Sequence, residues 1–306
     1  MSKKHPIVAV TGSSGSGTSN VKTAFEFIFR DEGINPAIIE GDSFHRYNRK
    51  EMDAATRKAA EENLTLTHFG PEGNLFDELE ALFKGYAASG TGKRRYYVHN
   101  EEEGVKHNTP PGTLTKWEPL PDNTDLLFYE GLHGGLVTDS VNIDQHVDLL
   151  IGVVPIINLE WMQKIYRDQS VRGYTAEDAT KMILRRLPDY VHYITPQFSR
   201  TDINFQRVPT IDTSNPFEPE QIPSNDQSLS VIHIRNPKKL QVDFRYLLEM
   251  LDGSVMSTPD TIVVPAGKNV FAMQLIINPV IQRMMHEREK SWDMSDKKNV
   301  VQRNTK

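Results

Sequence analysis

The chain contains no cysteine among its 306 residues. This excludes disulfides, thiol redox switching, zinc–thiolate sites and a cysteine nucleophile. It also lacks any apolar run near the roughly 20 residues of a membrane span. Its Met-Ser-Lys-Lys-His start has no signal-peptide apolar region, so a soluble, cytoplasmic protein with no membrane partner is expected. An excess of positive charge is missing as well. The formal net charge is −6, which argues against a nucleic-acid partner. The last absence is local. Residues 11–20 read Thr-Gly-Ser-Ser-Gly-Ser-Gly-Thr-Ser-Asn after the apolar run Ile7-Val8-Ala9-Val10. This is a phosphate-binding loop, G-x-x-x-x-G-K-[ST], in which Thr18 stands where the lysine belongs.

The residues the loop keeps have physical reasons. Backbone N–H groups must turn inward onto phosphate oxygens, through conformations that glycine reaches cheaply. The following helix adds its N-terminal dipole to the same anion. Gly12, Ser13, Ser14, Gly15, Ser16, Gly17, Thr18, Ser19 and Asn20 therefore form the candidate cradle for a nucleoside triphosphate, with the Ser19 hydroxyl placed to meet Mg²⁺. Val21, Ala24, Phe25, Ile28 and Phe29 recur at helical spacing and Gly33 closes the helix. The alternative is a Gly/Ser-rich turn in an ordinary α/β domain.

Apolar runs at 7–11, 36–40, 125–129 and 147–154 read as buried parallel strands, and stretches at 20–31, 50–62 and 74–88 as helices between them. The segment 89–124 is loop-rich and reads as an excursion from the sheet, with a short strand at Tyr96–His99. A helical pair fills 157–187. After Pro188 the chain turns β-rich, with strands expected at 190–195, 205–213, 230–235 and 261–265, then helices at 240–251 and 268–290. The expected organisation is one α/β domain over residues 1–290, with a mainly parallel sheet flanked by helices and a β-rich extension around 190–265. A polar, mobile tail at 291–306 follows.

Three further constellations carry chemistry. The run Glu40-Gly-Asp42-Ser-Phe-His45 follows the second strand, beyond whose carboxyl end ligands bind in open α/β sheets. Asp42 is placed to take a proton from an attacking hydroxyl, or is a helix-capping turn residue. His45 and Arg49 can hold an anionic substrate. Glu130, closing the run Leu126-Leu-Phe-Tyr129, is either the strand-end acid of a nucleotide–metal site or a solvent-facing carboxylate. Lys164, Arg167, Asp168 and Arg172 share one helix face, Gly173 ends that helix, and Thr175-x-x-Asp178 opens the next. Residues 164–186 hold six Lys/Arg, including Arg185 and Arg186, against three Asp/Glu. That is either a cationic lid over phosphates or a solvated charged face.

The run Lys164-Ile-Tyr-Arg-Asp-Gln-Ser-Val-Arg-Gly-Tyr-Thr-Ala-Glu177 resembles the signature of the phosphoribulokinases. The loop with Thr18 in place of lysine, and the blocks Glu-Gly-Asp42-Ser-Phe-His45-Arg46 and Phe-Tyr-Glu130-Gly-Leu-His133, are similar to the same family's, as is nearly the whole chain. The likeness is to its bacterial, octameric and allosteric type. It implies a P-loop kinase fold of the nucleoside-monophosphate-kinase kind and transfer of the γ-phosphoryl of Mg-ATP to the C1 hydroxyl of ribulose 5-phosphate. It further implies Asp42 as base, Glu130 and Asp168 as carboxylates near the metal and Lys164 as the catalytic lysine of the lid. His45, Arg49, Arg167 and Arg172 would bind the sugar phosphate, and Arg185 and Arg186 form a second basic cluster that binds substrate or couples to effectors. NADH is implied as activator and AMP as inhibitor, with Arg30 and Arg235 as candidate effector residues. The plant type carries a loop cysteine as part of a redox switch; with Ser16 and Thr18 here, that control is excluded. Competing readings are a uridine or pantothenate kinase, which normally keep the loop lysine and lack the Arg-Asp-x-x-x-Arg-Gly segment, and an ATP-sensing protein without turnover.

Overall fold

The computed structural model describes residues 4–13, 18–154, 156–218 and 221–303, the side chains of residues 18, 19, 171, 172 and 294–303 excepted. Its framework is an eight-stranded sheet. The strands in chain order include β1 (Ile7–Gly12), β2 (Pro36–Glu40), a separate short pair β3 (Lys93–Arg94) and β4 (Glu118–Pro119), β5 (Leu126–Gly131) and β6 (Leu149–Val154). They continue with β7 (Ile203–Pro209), β8 (Ser228–Ile234), β9 (Val255–Thr258) and β10 (Thr261–Val264). The sheet order is β2-β5-β1-β6-β7-β8-β10-β9. The first five strands in that order are parallel and the remaining pairings are antiparallel. The expected β-rich extension is thus a continuation of one sheet through the β7–β8 pair.

β1 lies at the centre, and every one of its residues is buried. Alternate side chains serve two cores. Val8 and Val10 join the core under α1 (Thr18–Asp31), α7 (Phe244–Met250) and α8 (Asn269–Arg303). Ile7 and Ala9 join the core under α3 (Phe76–Ser89). Covering on both faces is what a parallel sheet of near-continuous apolar strands requires. The remaining helices are α2 (Arg49–Glu61), α4 (Glu101–His107), α5 (Ile157–Arg172) and α6 (Ala176–Asp189). α5 and α6 form the expected pair and enclose a small core of their own, Ile165, Ala179 and Ile183, beside Trp161 and Phe217. Gly173 ends α5 with φ +71°, a left-handed position where a side chain would be strained. The Thr175 hydroxyl caps α6 by accepting the Asp178 N–H at 3.1 Å.

Three expectations are corrected. Tyr96–His99 is not a strand: it makes a single bridge, Tyr97 to Leu114. The Tyr96 N–H is taken by the Thr115 hydroxyl rather than a backbone carbonyl. Residues 190–195 are not a strand either. α6 runs through Pro188, and the chain then makes a π-type turn at Tyr190–Ile194 and a 3₁₀ turn at Thr195–Ser199. Pro188 has no N–H to return to the preceding turn, and a wider turn absorbs the mismatch. The polar segment from Ser291 continues α8 to Arg303, because residues 269–281 anchor that helix along α1 and the sheet.

At the edge away from the strand carboxyl ends, Asp148 accepts the Ile7 N–H at 2.9 Å and fixes where β1 enters the sheet. Burial pushes its carboxyl up from 3.8 to about 6, against that N–H. A carboxyl raised in the folded state destabilises the fold when ionised; the cost is absent below the unfolded value and complete above the folded one. In Asp148→Asn the amide oxygen can still accept the N–H. Its melting temperature relative to the parent is expected to rise by about 3 °C between pH 5 and pH 8. A difference that stays flat across that range would contradict the assignment.

Candidate active site

The carboxyl ends of β1, β2, β5 and β6 bring the chemistry to one edge of the sheet, because parallel strands present their following loops on the same side. The phosphate loop follows β1. Gly12 and Ser13 are buried and lead into it. Ser14, Gly15, Ser16 and Gly17 lie outside the described residues. Thr18 and Ser19 are described as the first residues of α1. Asn20 lines a small cavity with Arg207, Asn225, Ser228, Ser230 and Asn269, beside the end of β7.

Asp42 sits in a 3₁₀ turn, Gly41–Phe44, directly after β2. Two glycines set its position. A Cβ on Gly41 would stand 2.6 Å from the Tyr129 hydroxyl oxygen and 2.9 Å from Gly131 Cα, and one on Gly131 would stand 2.7 Å from Gly41 Cα. Backbones therefore touch where β2 and β5 end, one residue before Asp42 and one residue after Glu130, whose strand neighbour is Glu40. Two imidazoles flank the Asp42 carboxylate: His45 Nε2 and His99 Nε2 each lie 3.5 Å from one of its oxygens. Burial lowers the His45 pKa, and the Asp42 charge opposes it. A half-exposed Asp42 carboxylate in this setting can accept a proton from a hydroxyl held above it.

Arg95 holds this turn from behind. It donates to the Ser43 and His45 carbonyls, each at 2.7 Å, with its guanidinium over the Trp117 ring. Arg49 donates to the His99 carbonyl at 3.2 Å and is hydrogen-bonded to the Tyr97 hydroxyl. His133 is buried and neutral. Burial takes its imidazole down to about 4, and its Nε2 lies 3.0 Å from the Phe69 carbonyl.

The second half of the site is on α5. Lys164 Nζ donates to Asp168 at 2.5 Å, and Asp168 is fully buried. Arg167 Nε lies 3.9 Å from the other carboxylate oxygen. Burial lowers the Lys164 pKa, with Asp168 opposing it and Arg186 and Arg167 adding to it. Arg186 is thus close to this ion pair, whereas Arg185 is exposed. The Arg172 side chain is not described. Arg30, over the Phe27 ring on α1, and Arg235, paired to Asp202 at 3.1 Å, belong to neither half of the site.

The donor set suits a hard cation. Ser19, Glu130 and Asp168 offer only oxygen, and among the described residues no three His, Cys, Asp or Glu converge on one point. Mg²⁺ held by one or two carboxylates and the phosphates needs no such cluster.

Sequence reasoning passed over His99, Arg95 and Gln197. His99 and Arg95 arrive on the 89–124 excursion, which has no periodicity to read. Gln197 is fully buried, bonding the Thr11 hydroxyl, the Leu132 and Tyr193 carbonyls and the Gly135 N–H. A lone glutamine inside a 3₁₀ turn gives no sequence signal of that.

The sequence profile described as "Phosphoribulokinase / Uridine kinase family" matches residues 7–214. The chain is 58% identical over 292 residues to the chromosomal phosphoribulokinase of Cupriavidus necator, covering 95% of this chain and 99% of that one. It is 55% identical to the phosphoribulokinase of Nitrobacter vulgaris, covering 95% of this chain and 100% of the relative. The solved phosphoribulokinase from Rhodobacter spheroides superposes with a TM-score of 0.87 at 50% identity, covering 94% of this chain and 100% of that structure.

The backbone contact between Gly41 and Gly131 yields a prediction. Gly131→Ala must push the Asp42 turn away from the end of β5, because the obstructing Gly41 Cα is backbone. Its kcat is expected to fall at least about tenfold, as misplacement of a reacting group by an ångström costs that much or more. A kcat within twofold of the parent would show that the contact does not position Asp42.

Proposed function

The chain belongs to the phosphoribulokinase / uridine kinase family, and from that premise we propose how its residues divide the work. The reaction is transfer of the γ-phosphoryl group of ATP to the C1 hydroxyl of D-ribulose 5-phosphate, giving ribulose 1,5-bisphosphate and ADP for carbon fixation by the Calvin cycle. Relatedness along almost the whole chain carries the reaction. One geometric observation supports the division of labour: the Gly41–Gly131 contact adjoins both Asp42 and Glu130 in the chain, while Lys164 is paired with Asp168.

Residues 12–20 cradle the triphosphate. Asp42 removes the proton of the C1 hydroxyl as it attacks, and His45 and His99 hold the carboxylate and the substrate beside it. Arg49, Arg167, Arg172 and Arg186 bind the sugar phosphate and crowd positive charge around it. The cavity at Asn20, Arg207 and Asn269 receives the nucleoside. Glu130, Asp168 and Ser19 are the residues that would hold Mg²⁺, which when bound draws charge off the β- and γ-phosphates. The lysine missing from the loop is replaced by Lys164, delivered when α5 and α6 close. Charge then reaches the phosphates only with both substrates seated, which limits wasteful hydrolysis.

The finer expectations of this reading are an octamer, with β7–β10 contributing subunit contacts, activation by NADH and inhibition by AMP, and a cytoplasmic location. No helix among the described residues is long and apolar enough to cross a membrane.

ADP release from Mg-ATP is expected to depend on ribulose 5-phosphate and to be lost in Asp42→Ala; NADH is added in a parallel sample with a readout other than NADH absorbance. ATP binding without acceptor-dependent turnover, with or without NADH, would overturn the reading in favour of a sensor or another acceptor. Lys164→Met is expected to lower kcat about 10²–10³-fold while the ATP Kd changes far less. A variant that lost mainly ATP affinity, with kcat intact, would contradict delivery by the lid.

A further inference from the structure

The segment Thr67-His68-Phe69-Gly-Pro-Glu-Gly73-Asn74 lies against the Asp42 turn, and no role assigned above uses its histidine. The His68 ring packs on the His45 ring, with centroids 4.6 Å apart and planes tilted by 41°. His45 is 7% exposed, and its Nδ1 is buried with no hydrogen-bond partner among the described residues. A bond made by one ring nitrogen ordinarily fixes where the other points. Nδ1 makes none here, which leaves neighbouring rings to set the plane of the imidazole. Those rings are His68, at its tilt, and Tyr97, edge-on at 5.8 Å.

The loop that carries His68 is fixed on both sides. Asn74 is 2% exposed, and its Nδ2 donates to the His68 carbonyl at 2.9 Å and to the Gly70 carbonyl at 2.8 Å. Its backbone bridges His45. The Arg46 N–H donates to the Gly73 carbonyl at 2.8 Å, and the Leu75 N–H to the Phe44 carbonyl at 2.9 Å. On the far side the buried Thr67 hydroxyl donates to Asp189, the last residue of α6, at 2.7 Å. The His68 ring is therefore presented from a frame bonded to the turn that carries Asp42. His45 Nε2 lies 3.5 Å from an Asp42 oxygen, so the lie of one imidazole decides where the nitrogen of the other stands beside the base.

We infer that His68 is a positioning residue for the acceptor: it holds the His45 imidazole in the plane that turns Nε2 toward Asp42 and the sugar phosphate. This rests on the reading of His45 as a sugar-phosphate contact. His68 acts through that ring and needs no contact of its own with substrate.

The test uses the full chain with His68→Ala, His68→Phe, His45→Asn and the double variant of His45→Asn with His68→Ala. The bonds that frame the loop are made by Thr67, Asn74 and backbone groups, so the frame survives loss of the imidazole. His68→Ala is expected to raise KM for ribulose 5-phosphate about tenfold, with KM for ATP changed less than about twofold. A loosened fold alone would move both. His68→Phe keeps a flat ring against His45 and is expected to return KM for ribulose 5-phosphate to within about threefold of the parent. The double variant is expected to be no worse than His45→Asn alone, because His68 works through His45. Equal rises in both KM values, no recovery with phenylalanine, or losses that multiply in the double variant would overturn the inference. His45→Asn separates the two readings. If it impairs use of ribulose 5-phosphate while His68→Ala matches the parent, only the positioning role fails. If His45→Asn itself matches the parent, the reading of His45 as an acceptor contact fails, and the role of His68 with it.

Discussion

A triphosphate must be neutralised at the edge of this sheet by a loop that carries no cation of its own. Four or so negative charges on a bound nucleotide cannot be balanced by backbone N–H groups and a helix dipole worth about half a charge. The cation must come from elsewhere in the chain, and the proposed division of labour gives that part to Lys164, on the helix that follows β6 at the same edge of the sheet. The buried Lys164–Asp168 pair follows from the same constraint. An ammonium waiting in a half-buried position needs a carboxylate, or it loses its proton. Asp168 opposes the fall in the Lys164 pKa that burial causes.

The other half of the site is governed by shape rather than charge. Gly41 and Gly131 let β2 and β5 end with their backbones in contact, and Arg95 locks the turn that follows. Asp42 is thereby held in one place while remaining half exposed to an incoming substrate. The 89–124 excursion completes this half by bringing His99 across to it. Asp42 thus sits on a support borne by the sheet, whereas Lys164 and Asp168 sit on the helical pair α5 and α6.

Much of this was legible in the chain as a string. Continuous apolar runs marked β1, β5 and β6, since strands buried on both faces have no polar alternation to confuse them; β2, at the sheet edge, was marked by Ala37 and Ile39 although Ile38 is exposed. Gly173 and Thr175 marked the break between α5 and α6, because helix ends obey local rules. The loop pointed to phosphate binding through residue type and spacing, whereas the Arg-Asp-x-x-x-Arg-Gly segment pointed to the chemistry through its resemblance to the family's signature, since its charge pattern equally fits a solvated face. What stayed hidden depends on contacts between distant residues. Tyr96–His99 has the composition of a strand, but a threonine hydroxyl takes its first N–H. Residues 190–195 are β-branched and aromatic, yet the helix before them carries through Pro188 and widens instead of stopping. Gln197 matters because of what it meets across the fold, and single-residue identity carries no trace of that.

The most direct test of the central claim is an experimental structure with a non-hydrolysable ATP analogue, Mg²⁺ and ribulose 5-phosphate bound together. The account predicts Lys164 Nζ within about 3 Å of a β- or γ-phosphate oxygen, its bond to Asp168 opened or shared. Lys164 still paired to Asp168 alone, with a different cationic side chain on those oxygens, would contradict it.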